Sequence, residues 1–311
     1  MSALICGSLA FDTIMLFQDH FKHHILPEKI HMLNVSFLVP ELRREFGGCA
    51  GNIAYNLRLL DGDPVIMATC GVDFGPYAAH LDRCRIDRRH ILPAQHSYTA
   101  QAFITTDLSD NQITAFHPGA MNFSHLNHAD QAGNIKLGII SPDGREGMLQ
   151  HAQEMHAAGI PFIFDPGQGL PMFDGNELMQ FIELADYVAV NDYEAELLLN
   201  RTGKTIAELV RRVRAFIVTR GEAGSQIHTE DSIIDIPCAR AASVLDPTGC
   251  GDAYRAGLLH GIINGYDWPT TGRLASLMGA IKIGSRGGQN HAPSKAEIEQ
   301  LFSVEFGYDL A

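Results

Sequence analysis

Positive charge is scarce in this 311-residue chain: 23 Lys and Arg stand against 36 Asp and Glu, a formal charge of −13. A surface of that sign repels phosphate backbones and acidic headgroups, which argues against nucleic acid and charged membranes as partners. No apolar run approaches the roughly 18–20 residues that a membrane span requires. The start, Met1 to Gly7, lacks the basic stretch, long apolar segment and small-residue cleavage site of a signal peptide. The six cysteines (Cys6, Cys49, Cys70, Cys84, Cys238, Cys250) contain no C-x-x-C pair, so they read as small core residues of a reducing compartment. Walker A and protein-kinase loops are missing too. What is present, 46% hydrophobic and 19% charged residues, is enough to bury a core. The expectation is a soluble cytoplasmic protein.

From residue 137 onward, short apolar runs alternate with helical patterns. Leu137–Ile140, Pro161–Phe164, Tyr187–Val190 and Phe216–Val218 read as strands. Between them, Arg145–Ala158, Asn176–Ala185 and Tyr193–Asn200 read as helices. Such alternation needs crossover connections and predicts a mostly parallel sheet covered on both faces. The runs end in Asp165, Asn191 and Thr219, at the strand edge where open α/β sheets form their ligand crevice. Two stretches break the rhythm. Residues 12–39 hold β-prone pieces (Thr13–Phe17 and Val35–Val39) around a loop with His20, His23, His24 and His31. Those histidines lack a full set of metal-ligand partners and read as a solvated loop. Residues 99–117 read as a hairpin turning at Asp107–Asn111. Both stretches fit a small projecting sheet, a lid; extra strands at the edge of the main sheet fit the pattern equally. With no internal repeat or linker, 1–311 reads as a single domain.

Glycines then mark the places where a backbone meets a ligand. Asp246-Pro247-Thr248-Gly249-Cys250-Gly251-Asp252 runs straight into a helical pattern, Ala253–Ile263. Free N–H groups at such a helix start, with its positive dipole end, suit the charge on a transferred phosphoryl group. Asp252 beside them suits a base for an attacking hydroxyl, although an ordinary helix start explains the same residues. Gly47-Gly48-Cys49-Ala50-Gly51-Asn52 precedes another helix and offers an amide for substrate hydroxyls, or else merely close helix packing. Asn191-Asp192-Tyr193-Glu194 offers an amide and a carboxylate suited to Mg²⁺ and its waters, or else a helix cap. Thr219 to Gly224 follows a strand and suits phosphates, or else a tight hairpin.

In this order the motifs resemble the ribokinase-like (PfkB-type) family of carbohydrate and nucleoside kinases. The resemblance covers nearly the whole chain. It implies an α/β/α fold with a β lid, and MgATP-dependent phosphorylation of a hydroxymethyl group. It makes Asp252 the base and the N–H groups of Gly249, Cys250 and Gly251 the anion hole. Asn191, Thr219, Gly221 and Gly224 then lie along ATP, with Glu194 near Mg²⁺. A monovalent cation such as K⁺ beside the Asp246 loop belongs to the same expectation. Within the family the chain is similar to bacterial adenosine kinases, on Gly7–Asp12, Leu26-Pro27-Glu28, Val35–Val39, Phe116–Met121 and Asp165–Gln168. By that similarity Asp12, Gly48 and Asn52 bind ribose hydroxyls, and Ser8, Ser36, Phe116 and Gln168 surround the nucleoside. The expected reaction is γ-phosphate transfer from ATP to the 5′-hydroxyl of adenosine. Other nucleosides, free ribose or fructose, and a non-catalytic nucleoside binder are the alternatives. Ala102-Phe103 departs from the adenosine-kinase pattern, which implies a shifted hairpin register or a roomier base pocket. Ile14, Leu16, Phe37 and Leu38 make a homodimer through the lid a further expectation.

Overall fold

The computed structural model describes residues 2–25, 34–109 and 111–310. The first half runs β1 (Ser2–Cys6), β2 (Ala10–Leu16), β3 (Glu41–Gly47), α1 (Cys49–Leu59), β4 (Asp63–Cys70), α2 (Gly75–Arg83), β5 (Ile91–Pro93), β6 (Ala100–Thr106) and β7 (Gln112–His117). Then follow β8 (Ile135–Ile140), α3 (Arg145–Ala157), β9 (Phe162–Phe164), α4 (Gly175–Leu184), β10 (Tyr187–Asn191), α5 (Asp192–Thr202) and α6 (Ile206–Leu209). The chain closes with β11 (Ala215–Thr219), β12 (Ser225–His228), β13 (Ile233–Ile236), α7 (Cys250–Asn264), α8 (Trp268–Ile283) and α9 (Lys295–Phe306).

Successive side chains of a strand point to opposite faces, so a doubly covered strand must be apolar throughout. β1 obeys this. Ala3 and Ile5 enter a core with α1, α2, α7 and α8, while Leu4 and Cys6 enter a second core with α3, α4 and α5. The nine-stranded sheet has the order β13-β12-β11-β10-β9-β8-β1-β4-β5, parallel from β11 to β5 with β12 and β13 antiparallel. From β1 the chain first builds outward through β4 to β5, then returns to β8 on the other side. This reversal opens a crevice above the carboxyl ends of the central strands. The expected strand–helix alternation holds, with ends displaced by only a few residues. Among the described residues, no helix is long and apolar enough to cross a membrane.

β3, β2, β6 and β7 form a separate four-stranded sheet in that order. The hairpin β6–β7 is there as expected, its turn fixed by the Asp107 carboxylate, which accepts from the backbone N–H groups of Phe21, Ser109 and Asn111. Extra strands on the main sheet are therefore not what these residues form. Val35–Val39, in contrast, is no strand: residues 34–40 are irregular, and the strand beside β2 is the polar Glu41–Gly47. An edge strand with one solvated face needs no apolar run, so β3 was invisible to hydropathy. Phe37 instead joins the rings of Phe17 and Phe21. Leu26-Pro27-Glu28 and His31 lie outside the described residues. His23 and His24 both bond the Asp19 carboxylate on an exposed surface.

Candidate active site

The glycine turn before α7 behaves as its residues dictate. Gly249 caps the helix at φ 78°, a left-handed conformation that glycine adopts without cost, and a Cβ there would stand 3.2 Å from Gly288 Cα. The N–H groups of Gly249, Gly251 and Asp252 meet no acceptor among the described residues, so three donors converge at the positive end of a 15-residue helix. Cys250 departs from the expectation. Its N–H donates to Pro247 O at 3.1 Å and its side chain is off the cleft wall, so this donor is spent in the turn.

Asp252 occupies the third position of α7. Asn52, from the first turns of α1, donates through Nδ2 to Asp252 Oδ2 at 2.8 Å. Burial pushes the Asp252 carboxyl up to about 6, against the lowering effect of the Asn52 bond. Asn52 is itself held, because Gln289 Nε2 donates to its Oδ1 at 3.0 Å and to Tyr77 Oη at 2.7 Å. Tyr77 in turn donates to Gly47 O at 2.7 Å. This chain of bonds ties α1, α2 and the loop after α8 to one carboxylate. The structure places Asn52, expected on ribose, against Asp252, where it fixes which oxygen faces the cleft.

One turn beyond Asp252 on the same helical face stands Arg255, which sequence reasoning missed. Its guanidinium is buried, pairs with Asp165 Oδ1 at 3.0 Å and donates to Ala189 O at 3.2 Å. A lone arginine inside the otherwise apolar run Ala253–Leu259 was the available signal. The carboxyl ends of the strands complete the site. Asp165 follows β9, Asn191 ends β10, Thr219 ends β11, and Pro142 lies just beyond β8. With Gln168, Glu194, Gly249, Gly251, Asp252 and Arg255 they line a cleft of about 210 Å³. Asn191 and Glu194 form a full capping box: Asn191 Oδ1 accepts from the Glu194 N–H at 2.7 Å and Glu194 Oε2 from the Asn191 N–H at 2.8 Å. Cap and cleft wall are thus the same residues. The box occupies one carboxylate oxygen and leaves Oε1 without a protein partner among the described residues, a donor set that fits a water-bearing Mg²⁺. Burial raises the Glu194 pKa.

Other expected residues are more dispersed. Gly221 and Gly224 shape the β11–β12 hairpin, with a Cβ on Gly224 falling 2.1 Å from Ile236 O; neither lines the cleft. Ser8 is buried, and its hydroxyl accepts from the Cys49 N–H at 3.3 Å, an anchor for α1. Gly48 has φ 85°, and a Cβ there would stand 2.5 Å from Ser8 O. Ser36 is exposed on irregular backbone. Asp12 lies on β2 in register with Ala102 of β6, which opposes Phe116 of β7. Cross-strand partners share a face, so Asp12, Ala102 and Phe116 form one row while Phe103 points to the opposite side. The pairing is regular throughout, with no bulge in the β2–β6 or β6–β7 ladder. Burial, reinforced by Glu45, pushes Asp12 up to about 6.

Residues 14–295 match the pfkB family of carbohydrate kinases. The chain belongs to that family, whose members are phosphotransferases with an alcohol group as acceptor. It is similar to the nucleoside kinase of Methanocaldococcus jannaschii, with 33% identity over 86% of this chain and 88% of that protein. Burkholderia thailandensis nucleoside kinase in complex with inosine superposes with a TM-score of 0.91 at 56% identity, covering 99% of both chains. The same enzyme in complex with ADP-inosine gives 0.88 at 57% identity, covering 99% of this chain and 97% of that one. Thermotoga maritima ribokinase, at 17% identity and TM-score 0.80 over 97% and 99% of the chains, shares the fold.

Proposed function

We propose that this kinase transfers the γ-phosphoryl group of ATP to the 5′-hydroxyl of purine nucleosides, adenosine among them, giving the nucleoside 5′-monophosphate and ADP. The observation that carries this reading is the Asp252 carboxylate, held through one oxygen by Asn52 beside the free N–H groups that open α7. Its other oxygen accepts the hydroxyl proton as the hydroxyl oxygen bonds to phosphorus. The Gly249, Gly251 and Asp252 N–H groups hold the charge on the transferring group, a task that backbone donors perform without reorganisation. A carboxyl pushed up to about 6 is well matched to take a proton near neutrality. Asn191 and Thr219 line the ATP side. Glu194 would hold Mg²⁺ through water, and the chemistry such an ion would supply there is charge neutralisation on the phosphates.

The four-stranded sheet is the lid of a single kinase unit spanning residues 1–311. From it Asp12 bonds the ribose hydroxyls and Phe116 stacks on the base. Ala102, small on the same face, leaves the base pocket roomy, and the Gln168 amide offers both a donor and an acceptor. Adenine and hypoxanthine both satisfy such a pocket, in keeping with the related enzyme's complex with inosine. A broad purine range is therefore part of the proposal. The free cysteines fit a reducing, cytoplasmic setting. Leu42, Phe103 and Ile113 expose apolar surface on the far face of the same sheet, which supports a homodimer through the lid. A monomeric mass by light scattering at micromolar concentration would remove the dimer.

ADP release from MgATP with adenosine, inosine, cytidine, ribose and fructose, run in parallel, tests the substrate. Turnover with both purine nucleosides and none with bare sugars is the expected result. Efficient use of ribose or fructose would discard the nucleoside reading.

A further inference from the structure

Lys282, in the last turn of α8, is the one lysine among the described residues with no exposed surface. A buried ammonium normally finds a carboxylate, because removing its charge from water is otherwise costly. Lys282 forms no ion pair among the described residues. Its Nζ donates instead to two backbone carbonyls, Asp246 O at 2.7 Å and Ser285 O at 3.0 Å. These carbonyls belong to the two segments that pack around Gly249. The segments are clamped a second time by the Asp246 carboxylate, which accepts from the Thr248 N–H at 2.9 Å and the Gly287 N–H at 2.8 Å. A third tie runs from the Leu245 and Asp246 N–H groups to Ile283 O.

A single positive charge cradled by backbone carbonyls is the arrangement that also binds an alkali ion. Here the cradle is filled by a side chain of the protein, so the K⁺ expected beside the Asp246 loop does not fit these residues. We infer that the Lys282 ammonium is a built-in monovalent cation, which joins the Asp246 and Ser285 carbonyls, sets the glycine turn that opens α7, and makes turnover independent of bound potassium. Lys282 acts through the turn and is a positioning residue. The kinase chemistry at Asp252 is taken from the proposed function.

Two measurements test this. The first is wild-type turnover of purine nucleosides with MgATP in KCl and in N-methylglucamine chloride at equal ionic strength. Rates agreeing within about twofold are expected, whereas a loss of about tenfold without potassium would overturn the inference. The second is Lys282→Ala, which empties the cradle. Without alkali ions its kcat should fall about 100-fold, the scale of losing an anion-hole donor, with a much smaller change in nucleoside KM. Potassium or ammonium, and not choline, should restore a good part of that loss. Full kcat in the variant without alkali ions, or rescue by choline as well as by potassium, would overturn it. Lys282→Met, which keeps the stem and removes the charge, covers the case of an unfolded Ala variant. If neither variant folds, the wild-type salt comparison decides alone. Should the wild type ignore nucleosides yet phosphorylate a sugar, the substrate reading fails, and the same salts and variants test Lys282 with that sugar.

Discussion

Asp252 and Phe116 stand on two regions built in opposite ways. Around Asp252, Asn52, Gln289 and Tyr77 are buried and bonded to one another, Arg255 pairs with Asp165, and Lys282 bonds two carbonyls. Around Phe116, all six residues of β7 are exposed, and the sheet carries Leu42, Phe103 and Ile113 against solvent. The first region is held by buried, interlocking bonds, which suits phosphoryl transfer because positioning is most of its catalysis. The second is an open, solvent-facing sheet, to which the proposed function assigns the nucleoside. On the proposed function, chemistry belongs to the buried region and substrate recognition to the open sheet. Mutations in the two regions should therefore fail in different ways.

The largest effect expected is that of Asp252→Asn, with kcat lower by about 10³–10⁴-fold and nucleoside affinity by calorimetry nearly unchanged. The variant should not lose stability. The Asp252 pKa lies above its unfolded value, so its contribution to stability is greatest at low pH and is lost as pH rises through about 6. Melting curves should then show the variant gaining on wild type between about pH 4 and 7. Wild-type kcat/KM, in contrast, should fall as the pH drops below about 6.

Arg255→Met comes next. It leaves Asp165 buried without its partner and should cost roughly 3–5 kcal/mol in denaturant unfolding, with activity falling too. Wild-type stability in this variant would mean that the catalytic side is less tightly built than the comparison holds. Gly48→Ala forces a side chain into a left-handed backbone 2.5 Å from Ser8 O, so a loss of roughly 1–3 kcal/mol is expected, read as a lower Tm. Phe116→Ala should be the mildest. Nucleoside KM should rise about tenfold, kcat should hold, and stability should stay within about 0.5 kcal/mol. A drop in kcat without a change in KM would place Phe116 with the catalytic machinery and break the comparison.

The parallel sheet was legible because doubly buried strands must be apolar throughout, and Leu137–Ile140 and Tyr187–Val190 are. The glycine turns were legible because few other residues accept their backbone angles. β3 was not, since Glu41-Leu42-Arg43-Arg44-Glu45 has neither an apolar run nor a turn signal, and its pairing with β2 is set by register alone. Asn191 and Glu194 showed why two readings of one motif need not compete, because the box that caps α5 also faces the cleft.

The sequence by itself determined the layered α/β class, the strand ends where the crevice opens, and Asp252 beside a glycine turn, since these follow from local periodicity and backbone freedom. Only the tertiary structure decided that Asn52 holds Asp252, that the Cys250 N–H is spent on Pro247, and that Ala102 and not Phe103 shares a face with Asp12. It alone decided that Lys282 fills a carbonyl cradle. Each of these is a contact between segments distant in the chain or a choice of hydrogen-bond partner, and neither is written in the order of residues.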